Sequence, residues 1–178
     1  FIMSVIIMYN QLNLFLSKDH GFSMQKNIVI KLSNTTPQLL KNELLKYNNL
    51  ESATAASHVP AAGISHGSSF KKTLDDKEPV NLGTFKVDEG YLKNMGLHLV
   101  AGKFFLAEQE IINKEYVVVN EEAIKQLQFD SPLNALGEQI ILEHDSTRKT
   151  IIGVVADYNH RDLTRTISPM ALMYDPEQ

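Results

Sequence analysis

The sequence contains no cysteine. That excludes disulfides, thiol nucleophiles and cysteine-based zinc sites in one step, and it leaves the compartment open. Clustered positive charge is also missing. No Lys/Arg run exceeds two, the pairs being Lys71-Lys72 and Arg148-Lys149, and the net charge is -4 with a pI of about 5.9. Nucleic-acid binding needs a basic face that displaces counterions from phosphates, so a nucleic-acid partner is not expected. No apolar run reaches the roughly 20 residues that cross a bilayer. No basic segment precedes the opening apolar run and no small-residue cleavage site follows it, so it does not read as a signal peptide. Two catalytic signatures are absent as well. There is no G-x-S-x-G elbow. The stretch Ala62-Gly63-Ile64-Ser65-His66-Gly67 lacks the Gly-Lys-Ser/Thr ending that cradles phosphates.

What is present is an ordinary globular composition, with 43% hydrophobic and 21% charged residues over 178 positions. This suits one domain or two small lobes with a real core. The chain starts at Phe1, which reads as a fragment or a processed product. Residues 1–8, FIMSVIIM, carry only Ser4 as a polar residue, and the apolar pattern continues through Leu12, Leu14, Phe15 and Leu16. Two readings are open: a buried core helix, or the outer end of a membrane helix. Tyr9, Asn10, Gln11 and Asn13 follow at once, and an aromatic with amides at the edge of an apolar run favours a helix leaving the bilayer. Its surface is then expected to stay uncovered by the rest of the domain, with Gly21 as its stop and its joint to the body.

Further on, Asn27–Leu32 reads as a β-branched strand. Thr36-Pro37 opens a helix, as N-cap and first helical residue, with Leu40, Leu44 and Tyr47 on one apolar face and Asn48-Asn49 at its end. Ala53–Val59 reads as a second strand, which makes a strand–helix–strand unit. Ala61–Ser69 is Gly/Ser/Ala-rich and reads as a loop, and Thr73–Pro79 as a hairpin tip or loop. Val80–Val87 is a strand; Asp88 caps a short helix that Gly96 ends; Leu97–Val100 is short and apolar. Tyr116–Val119 is a buried strand, and Asn120 caps the helix after it, with Ala123, Ile124 and Leu127 inward and Glu121 and Glu122 in the first turn. Gln139–Leu142 and Thr150–Val155 are strands joined by the polar tip His144–Lys149. Ser168-Pro169 excludes a helix there. The fold class is α+β.

Chemistry-bearing residues are scattered. Of the six histidines, His58 and His66 flank the Gly/Ser-rich loop, while His20, His98, His144 and His160 lie apart. None has the i,i+4 partner of a zinc helix. Asp157, His160 and Asp162 are close in sequence but read as a polar turn, with Asp157 bonding to turn backbone. Ser65, Ser68 and Ser69 lie near His66, yet such a loop reads as a loop rather than a nucleophile site. Glu108, Glu110, Glu121 and Glu122 read as a solvated face. The expectation is no catalytic, cofactor-binding or metal-binding residue, no cofactor, and no enzyme.

Several stretches resemble the MacB-like periplasmic core domain of bacterial ABC-transporter permeases, within the wider FtsX/LolE group. Val87-Asp88-Glu89-Gly90-Tyr91-Leu92-Lys93-Asn94-Met95-Gly96-Leu97, then Ala101-Gly102-Lys103 and Phe105, resembles a strand, a D-x-x-Y helix start, a glycine stop and L-x-x-G-R-x-F, with Lys103 replacing the usual Arg. Val118-Val119-Asn120-Glu121-Glu122-Ala123 is similar to V-N-E-A-x-A. Leu136-Gly137-Glu138-Gln139-Ile140 is similar to I-G-K-x-I, and Ile151-Ile152-Gly153-Val154-Val155-Ala156-Asp157-Tyr158 to V-I-G-V-V-x-D-F. Pro169 falls where the family often places a proline. The opening segment resembles the start of the second extracytoplasmic domain of the two-domain permeases of Bacteroidetes.

The resemblance implies two lobes: residues 1–19 as the end of a transmembrane or stalk helix, 20–85 as a porter-like part, and 86–178 as a smaller, mixed, sabre-like lobe. The C-terminal return that completes the porter lobe is expected to be missing. It implies a domain at the bacterial inner membrane, facing the periplasm, that does not itself hydrolyse ATP. The expected partners are a cognate cytoplasmic ATPase subunit, a second permease copy, and a periplasmic adaptor or envelope protein. The expected work is export or mechanical coupling, with peptides, antibiotics or lipoproteins as cargo. The alternative is a sensor or interaction domain regulating a partner such as a cell-wall hydrolase.

Overall fold

The structure, a computed structural model, describes residues 2–17, 20–23, 27–33, 35–60, 66–161 and 165–177, the side chains of 14–17 excepted. Helix α1 (Ile2–Ser17) is followed by α2 (Pro37–Leu44), strands β1 (His66–Lys71) and β2 (Val80–Val87), and α3 (Tyr91–Met95). Then come β3 (Leu99–Gly102), a 3-10 turn (Ala107–Gln109), α4 (Glu110–Asn113), β4 (Tyr116–Asn120) and α5 (Glu121–Gln126). The chain finishes with α6 (Pro132–Ala135), β5 (Gln139–Leu142), β6 (Arg148–Val155) and β7 (Met170–Tyr174). The class is α+β, as expected.

The strands form one seven-stranded mixed sheet in the order β3-β6-β4-β7-β2-β1-β5. β5 also pairs with the beginning of β6, through Gln139 with Thr150 and Ile141 with Arg148, so the ladder closes on itself. Successive residues of the central strands enter different cores. Val117 and Val119 pack in one cluster with Phe70, Leu82, Ile140, Ile151, Ala123 and Ile124. Val118 packs in the other, with Phe85, Val87, Tyr91, Leu97, Ile152, Tyr158 and Leu172. Burial on both faces explains why Tyr116–Val119 reads as a continuous apolar run rather than an alternation.

Between β4 and β6 the register slips, Val117 facing Ile151 and Val118 facing Gly153. β6 therefore has one extra residue, a bulge, which turns Ile152 and Val155 to one face and Ile151 and Val154 to the other. The bulge brings the chain after β3 very close, with Lys103 N donating to Ile152 O at 2.9 Å. A Cβ on Gly153 would lie 2.2 Å from Lys103 O, and one on Gly102 (φ +78°) would lie 2.2 Å from Ile152 O. This contact is the physical content of the two glycine-bearing motifs.

Four sequence expectations need correction. Asn27–Leu32 belongs to no strand: the described backbone has no ladder partner, and Ile28 is 83% exposed. β-branched composition marks fitness for a half-buried sheet surface, and no such surface is offered here. Ala53–Val59 is not a full strand either. It makes one antiparallel bridge, Ala56 with Val87, because the chain turns away after Ser57 N donates to Lys86 O at 2.8 Å. The strand–helix–strand unit is thus represented by its helix alone, which ends at Leu44 and leaves Tyr47 exposed. Finally, His66–Ser69 is strand, not loop, since it pairs from His66 with Thr84 to Phe70 with Val80. Its partner strand supplies the apolar burial that its own Gly and Ser residues lack. One consequence is that the sheet takes in β1 and all of β2, so the 85/86 boundary falls inside a strand.

Replacing Gly153 with Ala is expected to destabilise the domain by about 3 kcal/mol, because backbone must move to admit the methyl. Urea unfolding followed by circular dichroism measures this.

Candidate functional site

Three polar or close-packed nodes tie the outer segments to the sheet. The first is the joint after α1. His20 O accepts from Asn159 N at 2.8 Å, and Ser23 N donates to Met95 O at 2.7 Å. Phe22 meets Tyr158 edge to face at 6.3 Å. Gly21 has φ +76°, and a Cβ there would sit 2.8 Å from Tyr158 Cβ. Only glycine meets both conditions, a left-handed backbone and no room for a side chain. The sequence expectation of a joint at Gly21 matches this geometry. α1 itself offers an uncovered apolar surface, with Ile2, Met3, Val5, Ile6, Ile7, Met8, Tyr9 and Leu12 each at least half exposed. Among the described residues no helix is long and apolar enough to cross a membrane.

The second node is Asp88. Its buried carboxylate receives Lys41 Nζ at 2.8 Å, Ala55 N at 2.9 Å, Gly90 N at 3.0 Å and the Thr54 hydroxyl. Lys41 also reaches Glu89 at 2.8 Å. α2 has no fully buried residue, so this charge contact is its main attachment. Burial works against the Lys41 ammonium, but hydrogen bonds and charge from Asp88 and Glu89 outweigh it and raise its pKa. Burial likewise opposes the Glu89 carboxylate, and Lys41 overcomes it and lowers its pKa. Thr36 occupies the N-cap position of α2 but its side chain makes no cap bond.

The third node explains the V-N-E-A and V-V-x-D-F motifs. Asn120 Oδ1 accepts from Ala123 N at 3.1 Å and Met170 N at 2.8 Å. Its Nδ2 donates to Asp157 Oδ1 at 2.9 Å and Ser168 O at 3.1 Å. All four positions of the side chain's hydrogen-bonding capacity are engaged in a residue that is 1% exposed. Asp157 also accepts from Glu122 N at 2.9 Å. Among the described residues its backbone contact is with the first turn of α5, where the sequence reading placed it in its own turn. Asp157 N in turn donates to Glu121 at 3.2 Å, so Glu121 is part of this node rather than of a solvated face. Glu108 and Glu110 are exposed, as read.

Of the histidines, three gather around Phe85. His58 stacks on it at 5.4 Å, and His66 meets His58 edge-on at 4.9 Å. His160 meets Phe85 edge-on at 6.3 Å. His144 lies exposed in the β5–β6 turn, and His98 contributes its carbonyl to Ala156 N. Sequence reasoning missed the cluster, since nothing in the spacing of 58, 66, 85 and 160 marks it. Ser65 and Asp162 lie outside the described residues. Ser68 pairs with the Thr84 hydroxyl at 3.4 Å. His160 Nε2 and Ser168 Oγ are 3.0 Å apart, with Nδ1 on Tyr158 O. Among the described residues no carboxylate bonds to that ring, which is 2% exposed, and the pair is a buried hydrogen bond. Among the described residues no three His, Asp or Glu side chains converge on a metal position.

The sequence model of the MacB-like periplasmic core domain matches residues 2–174. The chain belongs to this family. Its fold is shared with three solved structures at low identity. The periplasmic region of MacB from Actinobacillus actinomycetemcomitans aligns with a TM-score of 0.54 at 18% identity, covering 81% of this chain and 66% of that one. The extracellular domain of the noncanonic ABC-type transporter YknZ from Gram-positive bacteria gives 0.55 at 13%, covering 79% and 62%. A domain of a permease protein from Porphyromonas gingivalis gives 0.51 at 17%, covering 79% and 55%. The chain thus spans 55 to 66% of the length of these structures. No curated protein matches it.

Two outcomes are expected. Asp88→Ala should cost about 3 kcal/mol in urea unfolding, since it leaves two backbone donors and the Thr54 hydroxyl without their acceptor while Lys41 keeps Glu89, and Lys41→Met should cost less. Calorimetric titration with zinc should reveal no tight stoichiometric site.

Proposed function

We propose that this MacB-like domain is the extracytoplasmic part of an ABC-type transporter permease, coupling ATP hydrolysis in the cytoplasm to export or mechanical work in the periplasm. In this reading it sits at the bacterial inner membrane, and α1 is the outer end of a membrane or stalk helix. The observation that carries it is the pairing of an apolar α1 surface left uncovered by the domain with a close-packed joint at Gly21. A tethering helix needs no packed joint, whereas a lever does. Packed cores transmit displacement with little compression, so a shift at the joint moves the sheet as one body.

The domain has no catalytic role in this reading. Hydrolysis belongs to a cognate ATPase subunit, and a second permease copy and a periplasmic adaptor complete the assembly. Cargo is a peptide, an antibiotic or a lipoprotein. The two-lobe organisation enters as part of the proposal. Residues 27–33 belong to no helix or strand, with Ile28, Val29 and Ile30 exposed and no ladder partner among the described residues. A porter-like lobe completed by chain beyond residue 178 gives that run a sheet to join. The second reading, a sensor or interaction domain acting on an envelope partner such as a cell-wall hydrolase, shares the fold but does not need the joint.

A flexible Gly/Ser linker inserted after Asp19 in the full-length protein separates the two. Transport is expected to fail while ATP binding by the partner subunit persists. Transport that survives unchanged would overturn the lever and favour the tethered interaction domain.

A further inference from the structure

The three histidines around Phe85 come from three separate places: the segment after the Ala56–Val87 bridge, the start of β1, and the loop after β6. Lys86 N donates to Ser57 Oγ at 3.0 Å. Ser57 Oγ lies 2.8 Å from His58 Nδ1. The hydroxyl accepts from the amide and can give its proton to His58 Nδ1 when the ring is neutral and that nitrogen is bare. His160 Nδ1 faces the carbonyl of Tyr158, which can only accept, so Nδ1 carries the proton and Nε2 accepts from Ser168. The neutral rings therefore complete two short chains of hydrogen bonds, one of which ends on the backbone of β2.

We propose that His58, His66 and His160, arrayed around Phe85, form a proton-sensitive latch that holds residues 56–58 on the end of β2 at neutral pH and releases them on mild acidification. Protonating His58 at Nδ1 turns its acceptor into a donor and leaves the Ser57 hydroxyl proton without its acceptor. It also places a charge beside the exposed His66 ring, 4.9 Å away. Protonating His160 puts a charge into a site that is 2% exposed.

The surrounding charges do not offset this. Burial, then His66, lowers the pKa of His58. Burial lowers that of His160; Arg161 adds to the effect, and the Tyr158 carbonyl opposes it. Among the described residues no carboxylate is a cause of either shift. Lys86, on β2, pairs with Asp175 at 3.0 Å, and Asp157, on the loop before His160, is held by Asn120 and Lys125. Among the described neighbours Ser57, Thr84, Phe85, Tyr158, Ser168 and Met170 carry no charge, while Arg161 and Arg165, beside His160, are cationic. Both folded-state values lie below the ordinary 6.5. The stabilisation is thus complete above about pH 6.5 and is lost as pH falls through the lower folded values. Residues 53–55 are held separately by Asp88, so the release is local to the stretch after them.

Nuclear magnetic resonance of the chain titrated from pH 7.5 to 5.0 tests this. The amides of Ser57 and Lys86 are expected to shift with the midpoint of the His58 ring, below 6.5. Their exchange protection, corrected for the intrinsic pH dependence, should fall at least tenfold. The amides of Ala55 and Gly90 should keep their shifts down to pH 5.5. His58→Phe keeps a ring on Phe85 without a proton site and should flatten the response, and His66→Gln should move the His58 midpoint upward. Ser57 and Lys86 amides that stay fixed across the range in the unaltered chain would overturn the latch, whether or not the variants fold. So would an unchanged pH response in His58→Phe.

Discussion

Both faces of the central strands are apolar, so both must be covered, and most of the architecture answers that demand. β4 sends Val117 and Val119 to one side and Val118 to the other. One face is covered by α5 and α6, which contribute Ala123, Ile124, Leu127 and Ala135. The other is covered by α3 and the stretch through Phe105, with Tyr91, Leu97 and Phe105 inward. The bulge at Gly153 keeps this arrangement possible: without the extra residue, the later part of β6 would present its side chains to the wrong faces. Closure of the ladder through β5 then leaves few open edges on a strongly apolar sheet.

Several buried polar side chains in this frame satisfy backbone groups of neighbouring segments. Asn120 serves the first turn of α5, the start of β7 and the carbonyl of Ser168 at once. Asn113 does the same for the chain before it, its Nδ2 donating to Leu106 O at 2.7 Å. Asp88 collects donors from the 54–55 stretch, from the turn into α3, and from α2. A buried carboxylate with this many donors is weak evidence for net stability, because desolvation offsets much of the gain. It is stronger evidence for a defined position, since three segments converge on one acceptor group. That suits an attachment point whose geometry matters.

The portion of the fold written in local pattern was legible. β2, α3, β4, α5, β5 and β6 follow from apolar runs bounded by Asp88, Gly96, Asn120 and the polar tip near His144, all cues that act within a few residues. The Asn120 cap could be assigned because the donor it serves, Ala123 N, is three residues away. What was not legible depends on distant partners. β1 is Gly/Ser-rich and becomes a strand through pairing with β2 and β5. Asn27–Leu32 has strand composition but no described neighbour to pair with. Lys41 and Asp88 are 47 residues apart, and the histidines around Phe85 are gathered by the closure of the sheet. Asp157 reads locally as a turn residue because the helix it serves lies 35 residues earlier. Family resemblance, carried by the glycine and Asn/Asp motifs, reached further than periodicity, because those residues mark close approaches and buried bonds that pattern alone does not encode.

The attachments also differ in where they would carry force. The joint at His20–Ser23 bonds to Asn159 and Met95 and packs on Tyr158. All three lie in the sheet-bearing body, with Tyr158 in the core itself. The stretch from residue 27 to 60 touches that body through the Asp88 node, the Ala56 bridge and His58 on Phe85, and its one helix buries no residue fully. In the proposed lever reading, a displacement of α1 would reach the body at Tyr158 through the His20–Ser23 joint. The 27–60 stretch is also tied to the joint directly, since Asn27 Nδ2 donates to Ser23 O at 2.9 Å. In that reading the joint is the stiffer route and the 27–60 stretch a more weakly held collar, to which His58 belongs, while His66 and His160 belong to the sheet-bearing body.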